Sequence, residues 1–361
     1  MDAFFMRQAL QLAERGRATT SPNPMVGALV VDRDGVIVGR GAHEFAGGPH
    51  AEVHALRDAG SRARGATLYC TLEPCCHEGR TGPCAPLVAD ADIRRVVIAT
   101  DDPNPTAAGG AAWLRARGIE VVSGVLAHDG YCLNAAFFTR VRLGRPYVTM
   151  KVALSLDGRI AAAAGVRTPI TGPSAHRLVH RERAEVDAIA VGSGTILADD
   201  PQLTARGAFR HRPLTRVIYD RRLQTPPRAR VFGTLGLGPV IIVSTERSVE
   251  TARTRADELR DRGAELLIVD GSSGLRASLQ ALSARGLSSL VVEGGTLLHT
   301  AFWDANLVDR VQIYVGAAGL GDAAPGWVEA RVMSSSRVHD RRALPVGDGD
   351  TFLEGHVHGA D

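Results

Sequence analysis

Two stretches decide the fold of the first part of this chain: residues 50–60, HAEVHALRDAG, and residues 71–84, TLEPCCHEGRTGPC. The first has the apolar spacing of a helix opening at His50. The second leaves the apolar strand ATLYCTL and reaches a further helix from about Cys84. His50, Cys75 and Cys84 make three ligands, the number a catalytic zinc uses while keeping one position open for water. Glu52 follows His50 by two residues, about 200° around a helix, so the two converge only beyond the helix N-terminus. The metal would then sit at the positive pole of a helix dipole, which favours thiolate.

Zinc there would bring a water's pKa towards ~7, and a carboxylate that does not ligate the metal, Glu52, would move the protons. This order of residue types is that of zinc nucleobase deaminases, H-x-E followed by P-C-x-x-C. The chain departs from it in one respect: eight residues stand between Cys75 and Cys84 instead of two. The competing reading is a closed structural zinc site with Cys76 or His77 as fourth ligand, which leaves Glu52 without a role. Cys70, Cys76 and Cys132 read as small packing residues. Asn23, in the rigid turn Ser21-Pro22-Asn23-Pro24, falls on a loop or strand end, as do His43, His77, Arg80 and the run Asp101–Pro105. Together they suggest a polar, phosphate-bearing substrate.

Around this centre, short apolar strands alternate with helical patterns, which means α/β layering. A helix near 2–16 precedes strands VGALVV and VIVGRG, joined by the turn Asp32-Arg33-Asp34-Gly35. After Cys84 come strand RRVVIAT, helix WLRARG, strand IEVVSGV and a helix through LNAAFF. The charged segment ending in Gly144-Arg145-Pro146 marks a boundary, giving domains 1–145 and 146–361. The second opens with YVTMKVALS and continues through DAIAVG, TRVIYD, PVIIVS, ELLIVD, SSLVVEGG and DRVQIYV. Residues 221–238 read as loop, and 316–361 are weakly patterned apart from a last strand at TFLEGHVH.

A length of 361 residues fits two domains, and 45% hydrophobic with 22% charged residues describes a soluble globular chain. No apolar run reaches the ~20 residues of a membrane span, and the N-terminus lacks the features of a signal peptide. The expected setting is the cytoplasm, where clustered cysteines mean a metal site rather than disulfides. A formal charge of +3 without like-charge blocks argues against a nucleic-acid surface. Lys151 is the only lysine among 42 basic residues. A lone lysine surviving that bias suggests work that needs a compact, titratable cation. Near the end, Val291-Val292-Glu293-Gly294-Gly295-Thr296 runs from a strand through two glycines into a helix, a seat for a pyrophosphate.

These residues identify a family. SPNPMVGA, GAHEFAGGPHAE, TLEPCCHEGRTGPC, DDPNP, LNAAFF, GRPYVTMKVALSLDGRIA, ADDPQLTARG and VVEGG occur in order. Along essentially its whole length the chain resembles the bifunctional riboflavin-biosynthesis deaminase–reductases. The resemblance implies a cytidine-deaminase-like α/β/α layer followed by a dihydrofolate-reductase-like α/β domain. The first would deaminate 2,5-diamino-6-(5-phosphoribosylamino)pyrimidin-4-one to the uracil; the second would reduce its ribosyl group to ribityl with NADPH. By family pattern one zinc would be held by His50, Cys75 and Cys84, with Glu52 as proton shuttle. Asn23, His43, His77, Arg80, Asp102 and Asn104 would line the deaminase pocket. Lys151, Asp199 and Glu293 would surround the sugar, with Arg183, Leu203 and Arg206 towards its phosphate. Thr195, Asp199, Gly294, Gly295 and Thr296 would meet NADPH. The expected partners are a small phosphorylated pyrimidine and a second copy of the chain, with neither nucleic acid nor membrane. Two departures from the family pattern are the short loop Ala107-Ala108-Gly109-Gly110 and Pro169 before Ile170-Thr171. The rival readings are a deaminase of tRNA or DNA bases and a regulatory nucleotide-binding module with structural zinc.

Overall fold

Strand β1 (Gly27–Val31) is buried at all five residues, which requires cover on both faces of its sheet. The computed structural model, which describes residues 1–77, 82–269, 274–327, 332 and 335–357, provides it. The chain divides into two units, the first Met1–Gly144 and the second beginning at Arg145. In the first, β2 (Ile37–Ala42), β3 (Thr67–Leu72), β4 (Arg95–Thr100) and β5 (Glu120–Ser123) join β1 in the order β2-β1-β3-β4-β5. β1 runs antiparallel to both neighbours, whereas β3, β4 and β5 are parallel. Helices α1 (Asp2–Ala13), α2 (Ala51–Ala59), α3 (Cys84–Asp90), α4 (Gly110–Arg115), α5 (Ala127–Leu133) and α6 (Ala135–Leu143) complete the unit. Ala28, Val30, Leu68, Cys70, Val96 and Ile98 pack towards α2 and α3, and the intervening Leu29, Val31, Tyr69, Val97 and Ala99 towards Phe5, Met6 and Ala9 of α1. Period-two alternation with apolar residues on both faces yields the α/β/α layer.

Two expectations are refined here. The N-terminal helix ends at Ala13 and tightens into a 3₁₀ turn over Glu14–Gly16. The helix expected through LNAAFF is two helices meeting at Asn134, whose side-chain amide accepts from Met25 N and donates to Met25 O, both at 2.8 Å. That paired exchange fixes the Ser21–Met25 turn beside the candidate zinc site.

The second unit carries β6 (Tyr147–Leu154), β7 (Ala188–Gly192), β8 (Thr215–Tyr219), β9 (Val240–Ser244), β10 (Ala264–Ile268), β11 (Ser289–Val292), β12 (Arg310–Val315), β13 (His339–Gly347) and β14 (Asp350–His356). Their order is β10-β9-β8-β7-β11-β6-β12-β14-β13, parallel from β10 to β12 and antiparallel beyond. Between them lie α7 (Pro173–Glu185), α8 (Ser193–Asp199), α9 (Glu246–Thr251), α10 (Arg253–Asp261), α11 (Gly274–Ala284) and α12 (Thr296–Asp304). β11 returns between β7 and β6, the kind of order reversal that opens a crevice at the carboxyl ends of strands. No helix among the described residues is long and apolar enough to cross a membrane.

The stretch 221–238, expected as loop, winds into 3₁₀ turns over Arg230–Leu237. The cause is Arg216, fully buried with no carboxylate partner among the described residues, whose guanidinium donates to Thr234 Oγ1 and the carbonyls of Thr234, Gly238 and Pro239. Strand β13 was not expected at all; nearly all its residues are exposed, so it carries no buried alternation.

At the start of the unit, Arg145 meets Asp309 through two bonds of 2.6 and 2.7 Å, both side chains 4% exposed, and Asp309 also accepts from Val148 N. Arg145→Met leaves that carboxylate buried without its cation. The expected loss is about 3–5 kcal/mol of stability, read as a lower urea midpoint for the second unit's unfolding.

Candidate active sites

The first site is assembled where α2 begins. His50 is the residue before its first turn and is extended (φ −73°, ψ 163°), so its ring hangs off the helix end. Cys75 follows β3 by three residues and Cys84 opens α3. His50 Nδ1 lies 3.2 Å from Cys84 Sγ and 3.6 Å from Cys75 Sγ, and the three donor atoms are within 4.8 Å of one another. Tetrahedral zinc with ordinary Zn–N and Zn–S bonds needs N···S edges of about 3.5 Å. The donor set therefore fits zinc. Among the described residues the cluster has no fourth His, Cys or acidic member. Cys76 turns away, its Sγ 3.0 Å from Ala108 O, which removes it as a fourth ligand. Hydrogen bonds from Cys84 and His50 lower the Cys75 thiol, against the opposing cost of burial, while the same contact and burial raise that of Cys84.

Glu52 is in the first turn of α2 and only 3% exposed. Burial pushes its carboxyl up, with His50 pulling the other way. A carboxyl raised above its ordinary range holds a proton more readily than an exposed one, which suits a group that must take a proton and give it back. His43, 2% exposed, packs edge-on to His50 with ring centroids 5.5 Å apart. Its Nδ1 donates to Pro49 O at 3.0 Å, which leaves Nε2 to accept from Asn23 Nδ2 at 3.4 Å. Burial lowers its pKa, so it stays neutral.

Asp102 and Asn104 lie on the loop after β4. Asn104 N donates to Asp102 Oδ1 at 2.8 Å, and burial raises the Asp102 carboxyl to about 6. His77 has a buried Nδ1 with no hydrogen-bond partner among the described residues; Arg80 lies outside them.

Sequence reasoning missed Glu73. Its Oε1 accepts from Gly109 N (3.2 Å) and Ala111 N (2.9 Å), and its Oε2 from Asp102 N (3.2 Å). One carboxylate thus ties the end of β3 to the whole 101–111 loop. The short Ala107–Gly110 segment has a reason here. Gly109 takes φ +104°, and a Cβ on Gly110 would stand 1.7 Å from Pro74 O. An acid at the end of an otherwise apolar strand was the available signal. Glu73→Ala is expected to destabilise the first unit by on the order of 3 kcal/mol and to raise the deaminase KM, both measurable in one thermal and kinetic comparison.

The second site lies at the carboxyl ends of β7 and β11 and on the neighbouring β6. Glu293 N donates to Ala190 O, and the parallel register of β11 with β6 sets Glu293 beside Lys151. Arg183 on α7 grips Glu293 with both arms, Nε–Oε1 2.6 Å and Nη2–Oε2 2.5 Å, and donates to Thr204 O at 3.1 Å. Burial raises the Glu293 carboxyl, but Arg183 and Lys151 outweigh it and hold it at about 2, ionised. Lys151 Nζ has no hydrogen-bond or ion-pair partner among the described residues; the Tyr314 ring centroid lies 5.6 Å away. Burial lowers its pKa, with Glu293 and Glu182 opposing.

Thr195 on α8 faces the glycine turn so closely that a Cβ on Gly294 would be 2.5 Å from its Oγ1, and Gly295 takes φ +77°. No side chain caps α12, so its first N–H groups, from Thr296 onward, are open to an anion. Leu297 is 88% exposed beside them. These features fit the pyrophosphate and apolar parts of NADPH.

The remaining expected residues are more scattered. Arg206 contacts His180, through its N–H to Nδ1 and Nη2 to Nε2, both 3.1 Å. Asp199 ends α8, its carboxyl raised by burial and countered only by Arg167. Leu203 is a core residue with φ +54°, which leaves its backbone rather than its side chain for contact.

Comparison with known proteins places both units. Residues 1–100 match the cytidine and deoxycytidylate deaminase zinc-binding region, and residues 146–349 the RibD C-terminal domain. Riboflavin biosynthesis protein RibD of Escherichia coli is 42% identical over 331 residues, covering 90% of each chain. Its counterpart in Aquifex aeolicus is 40% identical over 323 residues, 89% of this chain and 88% of that one. Among solved structures, Acinetobacter baumannii RibD superposes with a TM-score of 0.84 at 37% identity, covering 99% of both chains.

Proposed function

The chain belongs to the RibD family of bifunctional deaminase–reductases of riboflavin biosynthesis, and from that premise we propose which residues carry each step. It is a zinc-dependent pyrimidine deaminase joined to an NADPH-dependent reductase. We assign the deaminase to residues 1–145 and the reductase to 146–361.

In the deaminase, His50, Cys75 and Cys84 hold zinc, which when bound supplies a Lewis acid that brings a water's pKa towards about 7. Glu52 takes one proton from the attacking water and gives it to the ring nitrogen, then carries a second from the new C–OH to the amine, which leaves as ammonia while the carbonyl forms. Its burial supports this, because a carboxyl with a raised pKa works in both directions. Asn23, oriented by neutral His43, offers a directed hydrogen bond to the ring, and Asp102, held by Glu73, closes the pocket with Asn104 and His77; Arg80 is assigned to the substrate from the family resemblance. The observation that carries the assignment is the three-donor cluster with a buried carboxylate, Glu52, that is not among its donors.

In the reductase, NADPH supplies the hydride and rests on Thr195, Asp199 and the Gly294-Gly295-Thr296 turn. Lys151 polarises the ring oxygen at the ribosyl C1′, and Glu293, ionised and clamped by Arg183, holds the sugar hydroxyls. Arg206 and the backbone at Leu203 face the phosphate, for which a guanidinium fork is suited, while the fork of Arg183 is taken up by Glu293. The enzyme acts on a small phosphorylated pyrimidine, without nucleic acid, as a cytoplasmic homo-oligomer.

Ammonia release followed by NADPH oxidation, measured on the pathway substrate before and after chelation of zinc, tests the division of labour. Chelation is expected to stop ammonia release and to leave reduction of the supplied uracil intermediate intact. Loss of both, or neither, would contradict two separate sites.

A further inference from the structure

Outside the catalytic groups, one buried polar chain ties two loops of the reductase together. β11 ends at Val292, which still pairs with Met150 of β6 and Ala190 of β7 and stands just before Glu293 and the glycine turn. His299, in the first turn of α12 and 2% exposed, reaches back to it: His299 Nε2 donates to Val292 O at 3.1 Å. On the other side of the ring, Trp327 Nε1 donates to His299 Nδ1 at 3.0 Å, with Trp327 6% exposed. A carbonyl can only accept and an indole N–H can only donate, so the tautomer is forced: the proton is on Nε2. Burial holds the imidazole at about 4, which keeps it in this neutral form.

Trp327 ends a segment fastened to the loop after β6. Leu156 N donates to Ala318 O (2.9 Å) and Ile160 N to Pro325 O (3.0 Å), while the Asp157 carboxylate accepts from Leu320 N and Gly321 N. Arg159 bridges to Gly326 and donates to Ala324 O. The loop after β6 and the turn after β11 therefore meet through an indole–imidazole–carbonyl relay.

We propose that His299 and Trp327 are positioning residues of the reductase, fixing the Val292–Gly295 turn, and with it Glu293 and the open end of α12, in the geometry that receives NADPH. Neither touches the reacting atoms. The inference rests on the reading that this turn holds the cofactor. The relay acts at one point: it adds a fixed side-chain donor to Val292 O at the last rung of β11, without which the turn could rotate and carry the α12 N–H groups out of line. A buried imidazole bonded on both nitrogens has one orientation, which an apolar side chain of the same size would not impose.

Trp327→Phe is the test: it keeps an aromatic ring in the core and deletes the N–H, and the small cavity it also leaves is reported separately by the melting temperature. NADPH affinity is measured by fluorescence titration of the full chain, alongside reductase kinetics, ammonia release and the melting temperature. The variant is expected to bind NADPH about tenfold more weakly, with a matching rise in KM, a kcat within twofold, and unchanged ammonia release. His299→Gln, whose amide can both donate to Val292 O and accept from Trp327, is expected to keep most of the affinity. Imidazole nitrogen shifts should report an Nε2–H tautomer from pH 5 to 8 in the wild type. Equal affinity of wild type and Trp327→Phe would overturn the inference, as would a fall in kcat with KM unchanged. If the wild type itself failed to bind NADPH, the underlying reading of the turn would be the one at fault.

Discussion

Glu52→Gln is expected to lower deaminase turnover by about 10²–10⁴-fold, the range a lost general acid–base supplies, while NADPH-dependent reduction of the deaminated intermediate continues at the wild-type rate. Glutamine keeps the volume of the side chain, so the 3%-exposed site has no cavity to collapse into. It also keeps an oxygen to accept hydrogen bonds, so ground-state binding should survive and KM should move little. What it loses is the ability to take a proton and give it back. Because burial raises the Glu52 carboxyl above its ordinary value, the wild-type enzyme needs a higher pH than an exposed glutamate would before the base form predominates. Deamination should therefore fall away on the acid side in the wild type, and the residual activity of Glu52→Gln should lack that limb. Zinc content, measured by metal analysis, should be equal in both proteins, because the carboxylate is not a ligand. A variant that lost its zinc, or one that kept full turnover, would remove Glu52 from the proton path.

The difference between Glu52 and Glu73 marks what the sequence could convey. Glu52 announced itself because its partners follow a local rule: two residues from His50 at a helix start, with cysteines after the next strand. The alternation of the strands and the Gly294-Gly295 junction were legible for the same reason, since each is a pattern written over a few neighbouring residues. Glu73 works by gathering N–H groups 29 to 38 residues away, and Asn134 by reaching Met25 across 109. No periodicity records such pairings. Arg183 illustrates the same limit from the other side. Its charge suggested a phosphate, yet the structure commits both arms of its fork to a glutamate 110 residues on. Arg216, which shapes the 3₁₀ turns of 230–237, and the exposed β13 were invisible because one is a buried cation and the other a strand without an apolar face.

Lys151 is where composition, packing and chemistry meet, and Lys151→Arg is expected to slow reduction by about 10²–10³-fold, the scale of losing one preorganised donor. Nζ is held close to Glu293 and Arg183 yet bonded to neither, so its donors are available to a ligand. A guanidinium is longer and forked, and in the same place it would press a second delocalised cation against Arg183. Charge alone should therefore not rescue the activity. The pH profile separates the two cations. Burial lowers the Lys151 pKa below the ordinary 10.5, so the wild-type enzyme loses its ammonium, and its rate, at a lower pH than an exposed lysine would. Arginine does not deprotonate in this range, so Lys151→Arg should be slow at every pH and should lack the alkaline limb. Lys151→Met completes the comparison. It removes a desolvated cation that no neighbour pairs directly, and Arg183 still neutralises Glu293. Its melting temperature should equal or exceed that of the wild type while reduction is lost, the signature of a group kept for chemistry at a cost in stability. Full turnover in Lys151→Arg, or a fall in stability that parallels the loss of activity in Lys151→Met, would return this lysine to the status of an ordinary structural residue.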